Sequence, residues 1–398
     1  MMIQLLLAVM LLGDFVWWFG CRRRLKRVGI GWKVGIGAFT AAQAAGLLLV
    51  VFARTWESAL SFLFTTPVLA CIYIWHFLFI VPMMLVSAVR LIVRTAKWIA
   101  RRERTQRPEP VLPMTRRDFF GIVGSMAPAV FTLGATGIGL WQIQHFRVRK
   151  MIARIPNLPP ALDGLTIAHV TDLHVGQFTH GAILDEIVEA TNTLRADLVL
   201  STGDLINFAL KDLAAGLSVM TRLRAEHGVF MCEGNHDLFE NGAEFRRRTR
   251  AAGVRLLVNQ SAVVSIRNVP VQLLGLQWGA GRDHPHSPEN RGEPAIAKSM
   301  RDLLLQRHAD AFPILLAHHP HAFDYATDIP LTLAGHTHGG QLMATGELGC
   351  GPMMFRYWSG LYRDAARTLL VSNGVGNWFP IRTRAPAEIV YLTLRGNG

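Results

Sequence analysis

Asp172 and His174, Asp204, Asn235 and His236, His318 and His319, then His336 and His338 close five short apolar runs in the C-terminal part of the chain. Carboxylates and imidazoles together suit borderline divalent ions such as manganese, iron or zinc. Soft thiolate chemistry is not indicated. The four cysteines, Cys21, Cys71, Cys232 and Cys350, have no paired spacing and read as small buried hydrophobes. In Asp172-Leu173-His174 the alternation of a strand end sends residues i and i+2 to one side, so both can reach one ion. Gly335-His336-Thr337-His338 repeats the spacing, and Gly339-Gly340 lets the backbone pass close by.

Short β-rich runs must carry these residues. After Pro159-Pro160 strands are expected at 165–174, 196–204 and 228–237, with helical stretches near Ile183 to Leu194 and Leu213 to Arg224 between them. Further strands are expected at 271–278, 313–319, 331–338, 368–374 and 387–394. Ligands of α/β sheets bind beyond the C-terminal ends of strands, where one site can collect all five blocks.

Taken in order, Asp-x-His, Gly-Asp, Gly-Asn-His-Asp, a lone His and Gly-His-x-His resemble the calcineurin-like metallophosphoesterases over about residues 165–395. The resemblance implies an α/β fold of four layers, α-β-β-α, behind the N-terminal helices. It implies two divalent ions, one on Asp172, His174, Asp204 and His338, the other on Asp204, Asn235, His318 and His336, with Asp204 shared. Two such ions about 3.5–4 Å apart clamp an attacking hydroxide and the phosphoryl oxygens. It further implies His236 as general acid, oriented by Asp237. The frame Leu316-x-His318-x-Pro320 selects His318 over His319, which would face the other side of its strand. Arg363 and Arg382 could meet a substrate phosphate, with surface solvation as the equal alternative. His169, His227, His284 and His286 lack such spacing and read as loop or packing residues.

The N-terminal part is of another kind. Residues 1–150 hold 19 Lys+Arg against 5 Asp+Glu, and residues 151–398 hold 22 against 23, so the net charge of +13 sits in the first part. These cations flank apolar runs at 2–20, within 28–53, at about 59–88 and at 121–141, which argues for four spans with basic cytoplasmic loops and against nucleic-acid binding. The second such loop is expected between Arg90 and Arg117. Thr115-Arg116-Arg117-Asp118-Phe119-Phe120 before the fourth run resembles a twin-arginine export signal. Asp14 and His76 are polar exceptions inside the spans, and Asp14 reads as interfacial, near Arg22. The expected division is a three-span region at 1–118, a fourth span or signal anchor with linker at 119–150, and the metallophosphoesterase domain at 151–398. The topology sets that domain outside the cytoplasm, on the periplasmic or extracellular side of a bacterial cell membrane.

The expected function is a membrane-anchored, metal-dependent phosphoesterase, a phosphodiesterase by the resemblance, with a lipid-linked or nucleotide-linked substrate. The rival is a transport or signalling module whose phosphoesterase-like domain senses a ligand. The spans show no chain of ionisable residues to support it.

Overall fold

The computed structural model describes residues 2–24, 30–52, 65–100, 116–278, 295–364 and 366–396. Residues 25–29 and 101–115, expected as parts of cytoplasmic loops, the start of the third apolar run, His284 and His286 lie outside the described residues. The chain forms two compact units, Met1–Leu140 and Trp141–Gly398.

The first unit is helical: α1 (Met2–Arg24), α2 (Ile30–Phe52), α3 (Thr66–Tyr73), a π-helical segment (Ile74–Ile80), α4 (Val81–Ala100) and α5 (Arg116–Gln142). Four stretches of these, Leu5–Arg22, Ile30–Val50, Thr66–Ala96 and Val123–Gln142, are long and apolar enough to cross a membrane. Hydroxyls inside them bond back to their own helices, Thr40 to the Ile36 carbonyl at 2.9 Å and Thr136 to the Thr132 carbonyl at 2.8 Å, as hydrocarbon surroundings require. The loop expected from Arg90 onward is helical as far as Ala100, because Arg and Lys are good helix formers and α4 simply continues.

Asp14 corrects the interfacial reading. It is buried, its Oδ1 accepts the Trp75 indole N–H at 2.7 Å, and its Oδ2 lies 3.0 Å from His76 Nε2. His76 Nδ1 donates to the Ile72 carbonyl at 2.8 Å. The π-helical turn carries Trp75 and His76 together, so two donors from one element converge on a single carboxylate of α1. Trp75 in turn packs edge-on against Trp17 and Phe39.

The second unit runs β1 (Arg147–Ile155), β2 (Thr166–His169), α6 (Ala182–Thr193), β3 (Leu198–Ser201), α7 (Leu213–Arg222), β4 (Val229–Met231), α8 (Gly242–Ala251) and β5 (Arg255–Leu256). It continues with β6 (Gln260–Ile266), β7 (Val269–Gly275), α9 (Ala295–Leu304), β8 (Phe312–Leu316), β9 (Leu331–Ala334), α10 (Cys350–Met354), β10 (Gly360–Arg363), β11 (Thr368–Val371) and β12 (Glu388–Gly396). Two six-stranded sheets result, in the orders β1-β12-β2-β3-β4-β5 and β10-β11-β9-β8-β7-β6.

Alternation along each strand builds the layers. In β3, Leu198 and Leu200 enter the core between the sheets while Val199 faces the core shared with α6 and α7. In β8, Ile314 and Leu316 turn to the inter-sheet core and Leu315 to a core with Met300 and Leu303 of α9. Both faces of the parallel strands are covered, which is why they read as unbroken apolar runs. The layers are α-β-β-α. The strand β1, absent from the sequence expectation, pairs parallel with β12 although it reads RVRKMIARI. Its charges hid its alternation, and two of them find Glu388, buried in β12, through Arg147 at 2.8 Å and Arg149 at 3.3 Å.

Asp14→Ala strands the Trp75 N–H and His76 Nε2 inside the helical unit, a loss of about 1–3 kcal/mol. The thermal midpoint of the full chain in detergent should fall, and fall less for Asp14→Asn, which keeps an acceptor for Trp75. Equal midpoints for Asp14→Ala and the parent would show that the cluster does not hold these helices.

Candidate metal centre

The five blocks leave the C-terminal ends of β2, β3 and β4 in one sheet and of β8 and β9 in the other. The strands stop earlier than expected, at His169 and Ala334. Asp172 (φ 53°), His174 (φ 46°), Asp204 (φ 53°), His336 (φ 72°) and His338 (φ 50°) all adopt left-handed backbone. Their convergence therefore comes from turns rather than strand alternation, which corrects the geometry expected for Asp172-Leu173-His174 and Gly335-His336-Thr337-His338. Asp and His tolerate this region better than most residues, yet each such position costs of order 1–3 kcal/mol unless the surroundings fix it. Hydrogen bonds between loops do so: Asp172 N to Gly203 O and His174 N to Asp204 O, both 3.0 Å, and His336 N to Asp172 Oδ1 at 2.9 Å.

Three overlapping groups present ligand atoms within 4.8 Å of one another: Asp172, His174 and His338; His174, Asp204 and His236; Asp204, His318 and His336. His174 Nε2 and His338 Nε2 are 2.8 Å apart, and Asp204 Oδ2 lies 3.4 Å from His174 Nε2 and 3.1 Å from His318 Nε2. Asn235 Oδ1 sits 3.1 Å from both His318 Nε2 and His336 Nδ1. A fourth group, Asp197, Glu226 and His227, is more exposed, and Asp197 is occupied by the backbone and hydroxyl of Thr166.

Burial holds His174, His336 and His338 well below the usual imidazole pKa, so they are neutral and keep a lone pair to give. Burial likewise pushes Asp172 up to about 6, assisted by the charge of Asp204. Burial would raise Asp204 too, but His318, His174 and His236 outweigh it and hold its carboxyl well below the usual range. For His318, burial is overcome by Asp204, which lifts it to about 9. His318 Nδ1 donates to the Thr202 carbonyl at 2.8 Å, fixing the ring and leaving Nε2 toward the cluster. The buried His174 Nδ1 has no hydrogen-bond partner. Three neutral imidazoles, His318 once it gives up its Nε2 proton, carboxylates and one amide oxygen fit divalent cations by donor chemistry.

Asp237 does not orient His236. Its carboxylate accepts four backbone N–H groups, from Asp204 (3.0 Å), Leu205 (2.8 Å), Ile206 (3.2 Å) and Gly234 (2.9 Å), and so knits the Asp204 and Asn235 loops together. Burial and the charge of Asp204 push its pKa up to about 8 against those donors. His236 is held instead by the Asn207 carbonyl, 2.6 Å from Nδ1, a main-chain partner that residue types cannot announce. Its ring lies among His174, Phe208 and Phe239.

Arg382 is not at the surface. It is 3% exposed and reaches Asn377 Oδ1, the carbonyls of Asn373, Gly376 and Ala385, and His338 Nδ1 at 2.8 Å. A guanidinium only donates, so Arg382 is spent on the protein rather than meeting a phosphate, and its bond to His338 Nδ1 puts that ring's proton on Nε2, which must leave before Nε2 can hold an ion. Arg363 bonds the Ile152 carbonyl. His319 is not turned away as the strand frame implies: the strand has ended, and its ring lies 4.9 Å from that of His336 with Nδ1 taken by the His321 N–H. His169 packs beneath the site on Thr202, its pKa driven down to about 3 by burial. Trp278, which no motif signalled, lies against His318 and His336 at 5.3 and 5.2 Å between ring centres.

The calcineurin-like phosphoesterase family profile matches residues 165–340. Over 263 residues the chain is 33% identical to the uncharacterized metallophosphoesterase Cj0846 of Campylobacter jejuni, covering 63% of this chain and 63% of that one. The chain thus spans about three-fifths of the length of that relative. It is 27% identical to phosphodiesterase YaeI of Escherichia coli, covering 57% of this chain and 81% of that one. It is 24% identical to a Bos taurus transmembrane protein with metallophosphoesterase domain, covering 98% of this chain and 87% of that one.

A Cβ at Gly335 would come within 2.0 Å of Asp172 Oδ2. Gly335→Ala should therefore displace that carboxylate and weaken metal binding about 10–100-fold. Asp204→Ala should cost more, since it removes an oxygen near both histidine groups. Metal titration of the folded full chain reads both, and parental affinity in either variant would contradict the ligand set.

Proposed function

We propose that the protein is a membrane-anchored, metal-dependent phosphodiesterase using two divalent ions, a reading supported by the calcineurin-like phosphoesterase profile that matches residues 165–340. The observation that carries this is Asp204 Oδ2, within 3.4 Å of imidazole nitrogens from both His174 and His318. Asp172, His174 and His338 would hold one ion with Asp204, and Asn235, His318 and His336 the other. Ions so held supply the charge that activates a water and neutralises phosphoryl oxygens during in-line displacement.

The remaining work falls to the chain. His236 Nδ1–H is committed to the Asn207 carbonyl, so Nε2 is the nitrogen that, in the doubly protonated imidazolium, delivers a proton to the departing oxygen and leaves the ring neutral. Phe208 and Phe239 flank the ring, their centroids 5.9 and 4.5 Å from it. The His236 N–H bonds Asp204 Oδ1 at 2.8 Å, so the acid and the shared ligand keep one geometry. Asp237 acts on this arrangement as a positioning residue, through the backbone of residues 204–206.

The substrate is a phosphodiester borne on a lipid or a nucleotide, and the domain faces outward from a bacterial cell membrane. The basic flanks of the spans and the twin-arginine-like stretch at 115–120 support that side. The transport reading gains nothing from the helices, since Asp14 and His76 bond each other.

His236→Ala should keep metal and lose about 10²–10⁴-fold in rate on an alkyl phosphodiester, and much less on bis(p-nitrophenyl) phosphate, whose leaving group needs no acid. Loss of metal from this variant would make His236 a ligand instead. Protease added to spheroplasts should cleave the C-terminal domain; a protected domain would place it in the cytoplasm.

A further inference from the structure

We propose that exposed apolar side chains beside the metal centre seat on the bilayer that holds the chain's own spans, so that an amphiphilic phosphoester reaches the site from the membrane surface. The substrate clause rests on the phosphodiesterase reading; the seating does not.

The fourth candidate span ends at Gln142 and β1 begins at Arg147. The five Cα steps from Gln142 to Arg147 reach at most about 18 Å. Gln142 Oε1 also accepts the Arg382 N–H at 2.9 Å, and Arg382 reaches His338 Nδ1 at 2.8 Å. Arg382 therefore joins Gln142 to His338 within the second unit. The segment bearing Arg382 is laced to the one that follows His338. Gln341 Nε2 donates to the carbonyls of Phe379 and Ile381, both at 3.0 Å, Thr383 N to Gln341 O at 2.8 Å, and Met343 N to Thr383 O at 3.1 Å. Helix α10 joins this block through Cys350 N to Leu342 O and Gly351 N to Met343 Sδ.

Large apolar side chains stand out from the same block: Leu348 is 61% exposed, Met353 80%, Met354 69% and Trp378 42%. The Trp378 ring is 6.4 Å from that of His338. Trp141, one residue before Gln142, is 63% exposed and stacked on His145. Exposed apolar groups on segments hydrogen-bonded to one another, with Trp378 beside His338, form a candidate interaction surface. Trp favours the membrane interface, and Met adapts to irregular apolar surroundings. The occupant is set by the chain itself, since these segments are hydrogen-bonded to the last residue of a candidate span.

The full chain, with Cys71→Ser and Cys350→Ser, is reconstituted in phosphatidylethanolamine and phosphatidylglycerol vesicles and carries a bimane at Met354→Cys or at Leu305→Cys. Leu305, 82% exposed at the C-terminal side of α9, lies outside the laced block. Brominated acyl chains should quench the label at 354 at least threefold more than at 305; equal, weak quenching at both overturns the proposal. Met353→Asp with Met354→Asp should leave turnover of soluble bis(p-nitrophenyl) phosphate within twofold and lower that of a vesicle-embedded long-chain p-nitrophenyl phosphodiester at least tenfold. Equal rates on both probes overturn the membrane route. Parental protein inactive on both probes counts against the phosphodiesterase reading, and quenching still decides the seating.

Discussion

Ligands drawn from two different sheets can converge only if the chain turns sharply as each strand ends, and the centre depends on that turn. Asp172, His174, Asp204, His336 and His338 all sit in left-handed backbone. Relaxing any of them to extended backbone would carry its side chain out of the cluster. Asp237, with four N–H groups from residues 204–206 and 234, and Thr202, whose carbonyl receives His318, are the fixed points that keep those turns. The inter-sheet core beneath supplies the rigidity, with Leu200, Phe230, Ile314 and Leu333 fully or almost fully buried.

What the sequence made legible follows from this division. Apolar runs buried on both faces announced β2, β3, β4, β8 and β9, and the polar residues closing them announced the centre. The residues of the cluster were readable because their types are scarce after such runs. Main-chain partners were not readable, so the Asn207 carbonyl under His236 and the real task of Asp237 emerge only in three dimensions. Charged strands defeated periodicity in another way: β1 carries Arg147 and Arg149, whose partner Glu388 lies 241 residues from Arg147.

The helical unit shows the same limit. From composition, Asp14 beside a basic flank looks like an interfacial residue. A π-helical turn, invisible to hydropathy, instead brings Trp75 and His76 onto it. A buried carboxylate with both oxygens engaged lines no path, and its value lies in fixing which faces of the helices meet. Arg382 is the matching case in the second unit, a cation whose sequence position near a phosphate site invited a ligand role and whose burial gives it a brace instead.

The parallel pairing of β1 with β12 joins the first strand of the domain to the last. A nascent chain has released every ligand, from Asp172 to His338, before residues 388–396 leave the ribosome. The first sheet must therefore wait with its edge open, anchored at one end by the span just before it. Contacts of such long sequence separation make closure slow. Closure of the first sheet therefore needs β12, which lies between β1 and β2, and its loss would open that sheet without removing any residue of the cluster.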